Sequence, residues 1–150
     1  MGIAKSNKGL CRVYFPEETP FDSALKRDFP DFLFVKDDTS CTDIKKQIEE
    51  YFSGKRTSFD LELDLQCPPF YKKALKEVNK IPFGKTVSYK DIAERAGNSK
   101  AVRAAGSANA NNPLPIVIPC HRILNTGGGL GGYGGNLQRK VYLLELEDSL

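Results

Sequence analysis

The chain has few side chains that bind metals or form cross-links. Among its 150 residues there is one histidine, His121, and the four cysteines, Cys11, Cys41, Cys67 and Cys120, lie far apart with no C-x-x-C pair. One histidine and four scattered cysteines leave too few ligands for a structural zinc site, and with no cysteine pattern of a disulfide framework, neither a metal nor a disulfide is expected, nor any cofactor. Long apolar runs are also missing. No stretch approaches the ~20 residues of a membrane span, and no signal-peptide pattern stands at the N-terminus. The expected location is the cytoplasm, or the nucleus where there is one. Charge of one sign is scarce, since 22 basic residues face 19 acidic ones for a net +3. That excess is compatible with a polyanionic partner but does not point to one. At 40% hydrophobic and 27% charged, the chain reads as an ordinary soluble protein of one domain or two small ones.

One stretch organises the rest: Pro113-Leu114-Pro115-Ile116-Val117-Ile118-Pro119-Cys120-His121-Arg122-Ile123-Leu124. Three prolines fence an apolar run, and proline has no amide hydrogen and biases its predecessor away from helix, so a buried, extended segment is predicted. Cys120 then sits at a stiff, buried turn. A thiol attacks as the thiolate, whose pKa falls near an imidazole or a guanidinium, and His121 and Arg122 supply both types. Neighbours in an extended segment point to opposite faces, so His121 would need a tight turn or a bridging water to reach Cys120. A buried, inert cysteine is the competing reading of these residues.

In the N-terminal third, Ile3 to Ser6 and Leu10 to Phe15 flank the turn signal Asn7-Lys8-Gly9, which predicts a hairpin with Cys11, Val13 and Phe15 on one face. Thr19-Pro20 offers a cap and first-turn proline to a short helix that Pro30 stops, and Phe32-Leu33-Phe34-Val35 predicts another strand. A second helix is expected with Ser40 or Thr42 as cap, Ile44, Ile48, Tyr51 and Phe52 as its apolar face, and Gly54 at its end. Asp60 to Leu65 alternates strictly and predicts a strand or extended linker, with a domain boundary near residue 66.

Further on, Pro68-Pro69 opens a helix with Tyr71, Ala74, Leu75 and Val78 as core. Ser88 and Asp91 form a capping-box pattern for a helix ending at Gly97, and Ser99 is the expected cap of a second helix reaching about Ala108. Such a pair is a helix-turn-helix candidate. Its second helix is small along much of its length, through Ala101, Ala104, Ala105, Gly106, Ser107 and Ala108, with Arg103 as the long exception. Small side chains allow close backbone approach but cannot reach base edges in a major groove, so sequence-specific readout is not expected. Gly127 to Gly135 lacks the phosphate-loop pattern and reads as a flexible lid. In the last helix Leu137, Val141, Leu143 and Leu144 are the expected inward stripe, and Glu147 falls on the same side. A buried carboxylate needs a partner, and His121 is the only imidazole in the chain.

The motif Pro119-Cys120-His121-Arg122-Ile123, with Asn112 to Ile116 before it, Phe83 to Tyr89 and Arg103-Ala104-Ala105-Gly106 upstream, and Gly132-Tyr133-Gly134-Gly135 downstream, resembles the signature of the O6-alkylguanine-DNA alkyltransferases across about residues 68–147. The resemblance implies an α+β protein. Residues 1–65 would be a small α/β, ribonuclease H-like scaffold, and residues 66–150 a mainly helical domain with the helix-turn-helix. Some members hold zinc near the N-terminus, but this region has no histidine here. Members also commonly have a further strand before Gly9-Leu10, so the sheet is expected to be a strand shorter.

The same resemblance implies single-turnover transfer of an alkyl group from O6-alkylguanine in double-stranded DNA to Cys120, with O4-alkylthymine as a candidate second substrate and a monomer as the working form. Glu147 would orient His121, which takes the Cys120 proton through a water. Tyr89 would hydrogen-bond and help protonate the leaving guanine, and the carbonyls of Cys120 and Ile123 would accept from its amine. Asn112 would brace the turn, and Tyr133 and Gly134 would wall the base pocket. Arg103, Ala104, Ala105, Gly106, Ser107 and Ala108 would enter the minor groove, with Arg103 filling the space left by the flipped base. After Tyr133 members commonly have Ser, and this chain has Gly134. Two other readings stand beside this one. An alkyltransferase-like protein would bind the lesion without transfer, although such relatives replace the cysteine. A cysteine hydrolase would need an oxyanion hole and a second histidine, which the chain lacks.

Overall fold

The computed structural model describes residues 1–16, 20–134 and 136–150. The chain opens with the predicted hairpin, β1 (Gly2–Ser6) paired antiparallel to β2 (Gly9–Tyr14), with an irregularity between Ala4 and Lys5. Gly9 has φ 142°, and a Cβ there would lie 2.3 Å from the Glu62 carbonyl oxygen, so only glycine lets the 60–65 segment come this close. That segment is extended but joins β2 through a single parallel bridge, Leu10 to Leu63, with Leu10 N–H donating to Glu62 and Asp64 N–H to Leu10. The expected one-sided burial of β2 does not hold. Leu10 and Tyr14 are buried as well as Cys11, Val13 and Phe15, because Val13 enters the main core while Tyr14 packs on Ala24 and Leu25 of the first helix.

Helix α1 (Phe21–Asp28) starts after Pro20, which occupies the cap position itself; the expected cap Thr19 lies outside the described residues. No strand forms at residues 32–35. Leu33 and Val35 are 99% and 87% exposed, and Phe32 and Phe34 lean edge-on against Phe29 instead. Four consecutive apolar residues carry no alternation to choose a face, and a strand needs an edge to pair with. Helix α2 (Thr42–Phe52) buries Ile44, Ile48 and Tyr51, as expected, but neither Ser40 nor Thr42 caps it; the cap position is Cys41, and the turn before it is closed by Asp37 accepting from the Ser40 N–H.

Helix α3 (Pro69–Val78) begins on its proline and buries Ala74, Leu75 and Val78. The short β3 (Val87–Ser88) leads into α4 (Tyr89–Arg95), whose Ser88–Asp91 capping box is formed. Helix α5 (Val102–Ala110) follows without its expected Ser99 cap. Asn98 builds the turn instead, its side chain accepting from Lys100 N–H and its carbonyl from Ala101 N–H, an Asx turn that leaves Ser99 no role. Helices α3, α4 and α5 pack on one another. Beyond them lie β4 (Ile123–Leu124), parallel to β3, and α6 (Leu137–Leu146).

The inward stripe of α6 differs from the one expected. Leu137 is 47% exposed, while Lys140 is fully buried alongside Leu143 and Leu144. A single apolar cluster joins Leu10, Val13, Ile44 and Ile48 to Leu75, Ile92, Ala105, Ile118 and Ile123, so the core is continuous across residue 66. Among the described residues no helix is long and apolar enough to cross a membrane. An α+β chain with a small N-terminal sheet and a helical C-terminal part is what the sequence predicts and what the structure has.

Candidate active site

The proline-fenced run turns rather than extends. Pro115 and Ile118 close a one-residue bridge, Asn112 Nδ2 donates to the Ile118 carbonyl at 2.8 Å, and Asn112 Oδ1 accepts from the Leu114 N–H at 3.0 Å. Ile116 is forced to φ 75°, a conformation that costs a β-branched residue on the order of 1–3 kcal/mol. It is held there by burial against Phe15, Tyr51 and Leu143. The strain places Cys120 at the head of a 3-10 turn (Cys120–Arg122), where successive side chains diverge by about 120°. Cys120 and His121 therefore face different surroundings, although both are buried.

Around His121 the structure builds a network on Glu147, which caps the end of α6 and is 1% exposed. Its carboxylate accepts from His121 Nε2 at 2.8 Å, from Arg122 Nε and Nη2 at 2.8 and 2.9 Å, and from the Tyr51 hydroxyl at 2.6 Å. Arg122 is further fixed by donating to the Ile81 carbonyl. Burial by itself would raise the Glu147 pKa, but the hydrogen bonds from His121 and Arg122 and the charge beside it outweigh that and bring it down to about 2. His121 moves the other way from what a lone carboxylate would cause: burial pushes its pKa below the usual imidazole value, Glu147 opposes this, and the Arg122 and Lys140 charges add to it. At neutral pH the pair is therefore a carboxylate and a neutral imidazole. The shared proton sits on Nε2 and leaves Nδ1 as a bare acceptor, buried and without a partner among the described residues.

The thiol side is different. Burial pushes the Cys120 pKa up, and the groups that draw it back are the side chains of Asn112 and Tyr133 and the charge of Lys140. Arg122, adjacent in sequence and expected to activate the thiol, is committed to Glu147 instead. Lys140 donates to the carbonyls of Ile123 and Leu130, tying the residue after the Cys-His-Arg turn to the glycine-rich segment. Its own pKa falls to about 8 through burial, with Cys120 pulling it back up. Asn109 Nδ2 donates to the Cys120 carbonyl at 3.2 Å.

Most of the predicted residues converge here. Cys120, Asn112, Tyr133 and Gly134 line one cavity, Tyr89 is near enough to feel the Cys120 charge, and Ile123 continues into β4. The Tyr89 hydroxyl donates to the Gly132 carbonyl at 3.2 Å; the Cys120 carbonyl already accepts from both Asn109 Nδ2 and the Ile123 N–H, and the Ile123 carbonyl accepts from Lys140. Gly134 approaches the end of α5 so closely that a Cβ would lie 2.8 Å from the Ala110 carbonyl oxygen. Arg103 is exposed on α5, on the same helix as Ala104 and Gly106, while Ala105 and Ala108 turn into the core and Ser107 bonds Tyr71. The small residues of α5 thus serve helix packing as well as surface. Gly135 lies outside the described residues.

Tyr51, Asn109, Arg122 as a carboxylate partner, and Lys140 were not foreseen. Tyr51 and Lys140 sit at inward helix positions where a polar group needs a buried partner, and this was the only sequence signal of their role. Among the described residues no group of three His, Cys, Asp or Glu could hold a metal ion.

Two family models match the chain. One, the 6-O-methylguanine DNA methyltransferase ribonuclease-like domain, covers residues 1–65, and the other, the DNA-binding domain of the same family, covers residues 69–149. A methylated-DNA--protein-cysteine methyltransferase of Mycobacterium bovis is 48% identical over 103 residues, 69% of this chain and 62% of the relative, so the match spans under two thirds of that protein's length. One from Methanosarcina acetivorans is 40% identical over 98% of this chain and 90% of its own. The solved structure of Mycobacterium tuberculosis OGT in complex with DNA superposes with a TM-score of 0.84 at 37% identity, over 98% of this chain and 85% of that one. The fold, a buried cysteine in the Pro-Cys-His-Arg turn and the matches across both halves agree, and the chain belongs to the 6-O-methylguanine DNA methyltransferase family.

Proposed function

We propose that the protein repairs DNA by direct reversal, moving the alkyl group of O6-alkylguanine to Cys120 once per molecule. The observation that carries this is the division of the turn: a buried thiol next to a cavity on one side, and on the other a neutral imidazole whose free Nδ1 has no partner. A water between the two would let Nδ1 take the thiol proton, and Glu147 would stabilise the imidazolium as it forms. The thiolate attacks the alkyl carbon, the carbon–O6 bond breaks, and guanine takes a proton. Tyr89 is positioned to donate once its hydroxyl leaves the Gly132 carbonyl, and the exocyclic amine would donate to the Ile123 carbonyl and, once Asn109 gives way, to the Cys120 carbonyl.

The partner in this reading is double-stranded DNA carrying alkylated bases, bound by α4 and α5. The base must leave the stack to meet a buried thiol. Exposed Arg103, flanked by small residues, fits the minor groove and the vacated space. Residues 1–65 act as a scaffold whose Tyr51 supports Glu147; residues 66–150 bind and react. The protein works as a monomer in the cytoplasm. A protein that only bound lesions would have no use for a thiol in this setting, and a hydrolase would need a second histidine.

The test is intact-mass measurement after mixing with a duplex carrying O6-methylguanine. A gain of one methyl per protein, mapped to Cys120, supports the reading. No gain, a gain on Cys11, Cys41 or Cys67, or many turnovers would overturn it.

A further inference from the structure

Three donors converge on one oxygen of Glu147. Oε1 accepts from the Tyr51 hydroxyl at 2.6 Å, from His121 Nε2 at 2.8 Å and from Arg122 Nη2 at 2.9 Å. Oε2 has Arg122 Nε at 2.8 Å and only a long contact from the Gly84 N–H at 3.4 Å. A carboxylate oxygen offers two lone pairs, so the three donors on Oε1 must share them. The bond on which His121 depends is therefore contested, and the shortest competing bond comes from α2, far in sequence from the thiol. Tyr51 is fully buried, and its ring packs against Phe52, Phe59 and Phe83, which fixes where the hydroxyl points. Its role as donor is fixed as well. Glu147 carries no proton at neutral pH, and burial together with that carboxylate pushes the phenol far above its ordinary range.

From this arrangement, and resting on the alkyl-transfer reading above, we infer that Tyr51 is a positioning residue for the reaction: its hydroxyl draws charge from the Glu147 oxygen shared with His121 and so limits how firmly the imidazole holds the proton of Cys120. Hydrogen bonds donated to a carboxylate stabilise its charge where it is and leave less of it to support a neighbouring imidazolium. The other groups facing His121 are the Arg122 and Lys140 cations, which oppose its protonation from the turn and from α6, and Glu147, which favours it. Tyr133, from the glycine-rich segment, feels both Cys120 and Tyr51. The proton leaves Sγ and arrives through the water at Nδ1, as before. An imidazole held more strongly by an uncontested carboxylate would already be protonated at mildly acid pH and could not accept it. Tyr51 thus keeps the base neutral at rest while leaving Glu147 close enough to stabilise it as it charges.

His121 is the only histidine, so labelling with 15N-histidine gives the spectrum of one imidazole. At pH 7 its Nε2–H proton reports the bond to Glu147 without any DNA present. Tyr51→Phe should move this resonance downfield, because Oε1 loses its shortest competitor. A 3-fluorotyrosine installed at position 51 is a stronger donor and should move it upfield. The acid limb of methyl transfer from an O6-methylguanine duplex should rise by about one pH unit in Tyr51→Phe. Phe59→Leu alters the ring packing around Tyr51 without touching a polar atom, and should leave both readouts in place. An Nε2–H resonance that stays put or moves upfield in Tyr51→Phe overturns the inference, as does a rate that falls equally at every pH, or a Phe59→Leu protein with the same shift. Should Tyr51→Phe not fold, the fluorinated protein decides. Absence of methyl transfer by the wild-type protein would instead defeat the reading on which the inference rests, a failure that the DNA-free spectrum keeps apart.

Discussion

Cys11 and Cys120 are both buried, and burial raises the pKa of both thiols, yet their surroundings differ in sign. Cys11 sits on β2 with its sulfur 3.7 Å from Asp64 Oδ2, a carboxylate that opposes ionisation, and it also contacts the Gly9 carbonyl. Cys120 has the Asn112 and Tyr133 side chains and the Lys140 ammonium, all of which favour the thiolate. Burial by itself thus does not distinguish an inert cysteine from a nucleophile. The distinction lies in what replaces water around the sulfur: at Cys11 hydrogen bonds from Ser6 draw the pKa down while the Asp64 anion pushes it up, whereas at Cys120 the polar neighbours all draw it down and one of them is a cation.

The largest effect should come from the sulfur itself. Cys120→Ser is expected to abolish transfer from O6-methylguanine in an intact-mass assay, whereas Cys11→Ser should still be methylated. Transfer that depended on Cys11 would erase the contrast. Next in size is Glu147→Gln, which leaves Arg122 buried against a neutral amide. Breaking a buried pair on one side costs ~3–5 kcal/mol, so a large fall in melting temperature is expected along with slower transfer. The pH dependence has a definite sign. The Glu147 pKa is depressed on folding, from the ordinary 4.5 to about 2, so its contribution is fully present above about 4.5 and is lost as pH falls toward 2. Wild-type stability should drop across that window, and the Gln variant should show a flatter profile there. Parallel profiles would mean that Glu147 is not the group that titrates.

Much of this site could be read in the sequence because its constraints are local or exclusive. Prolines mark the stiff, buried turn at Cys120, though not the left-handed residue Ile116 in a run expected to extend; the Ser88–Asp91 spacing marks the start of α4, and with one histidine in the chain a buried Glu147 had one imidazole to meet. What could not be read depends on contacts between distant segments. Nothing near Tyr51 reveals that its hydroxyl meets Glu147, 96 residues away, and Arg122 reads as a thiol partner because it is close to Cys120 in sequence, which suggests closeness in space. The 3-10 turn breaks that assumption. Lys140 was passed over in favour of Leu137 because hydrophobic periodicity cannot register a charged residue that satisfies carbonyls inside the core. Residues 32–35 failed for the opposite reason: their composition suits a strand, but no edge pairs with them.

Lys140 offers a way to sharpen the comparison of the two thiols. Lys140→Met keeps the volume and removes the cation, so the Cys120 thiol should become harder to ionise. A rise of one pKa unit is a tenfold loss of thiolate below that pKa, and alkylation of Cys120 by iodoacetamide at pH 7 should slow by about that factor, with Cys11 unaffected. Because the Lys140 pKa is lowered to about 8, the wild-type protein loses this support as pH rises past that value. The ratio of wild-type to variant rates should therefore shrink between pH 7 and 9. A ratio constant with pH would assign Lys140 to holding the Ile123 and Leu130 carbonyls alone.

The smallest effect concerns the wall of the site. Gly134 lies where a Cβ would be 2.8 Å from the Ala110 carbonyl oxygen, a backbone atom at the end of α5 that cannot rotate away. A serine at this position must move either the glycine-rich segment or α5 outward. The cavity shared by Tyr133, Gly134 and Cys120 would then widen. Strain of this kind costs ~1–3 kcal/mol when the surroundings are tightly packed, and less here because Gly134 itself is exposed. Gly134→Ser should accordingly lower the melting temperature by only a few degrees, while transfer of a bulky benzyl group should gain relative to methyl by a few-fold. A variant with an unchanged benzyl-to-methyl ratio would show that the contact with Ala110 does not set the width of the site.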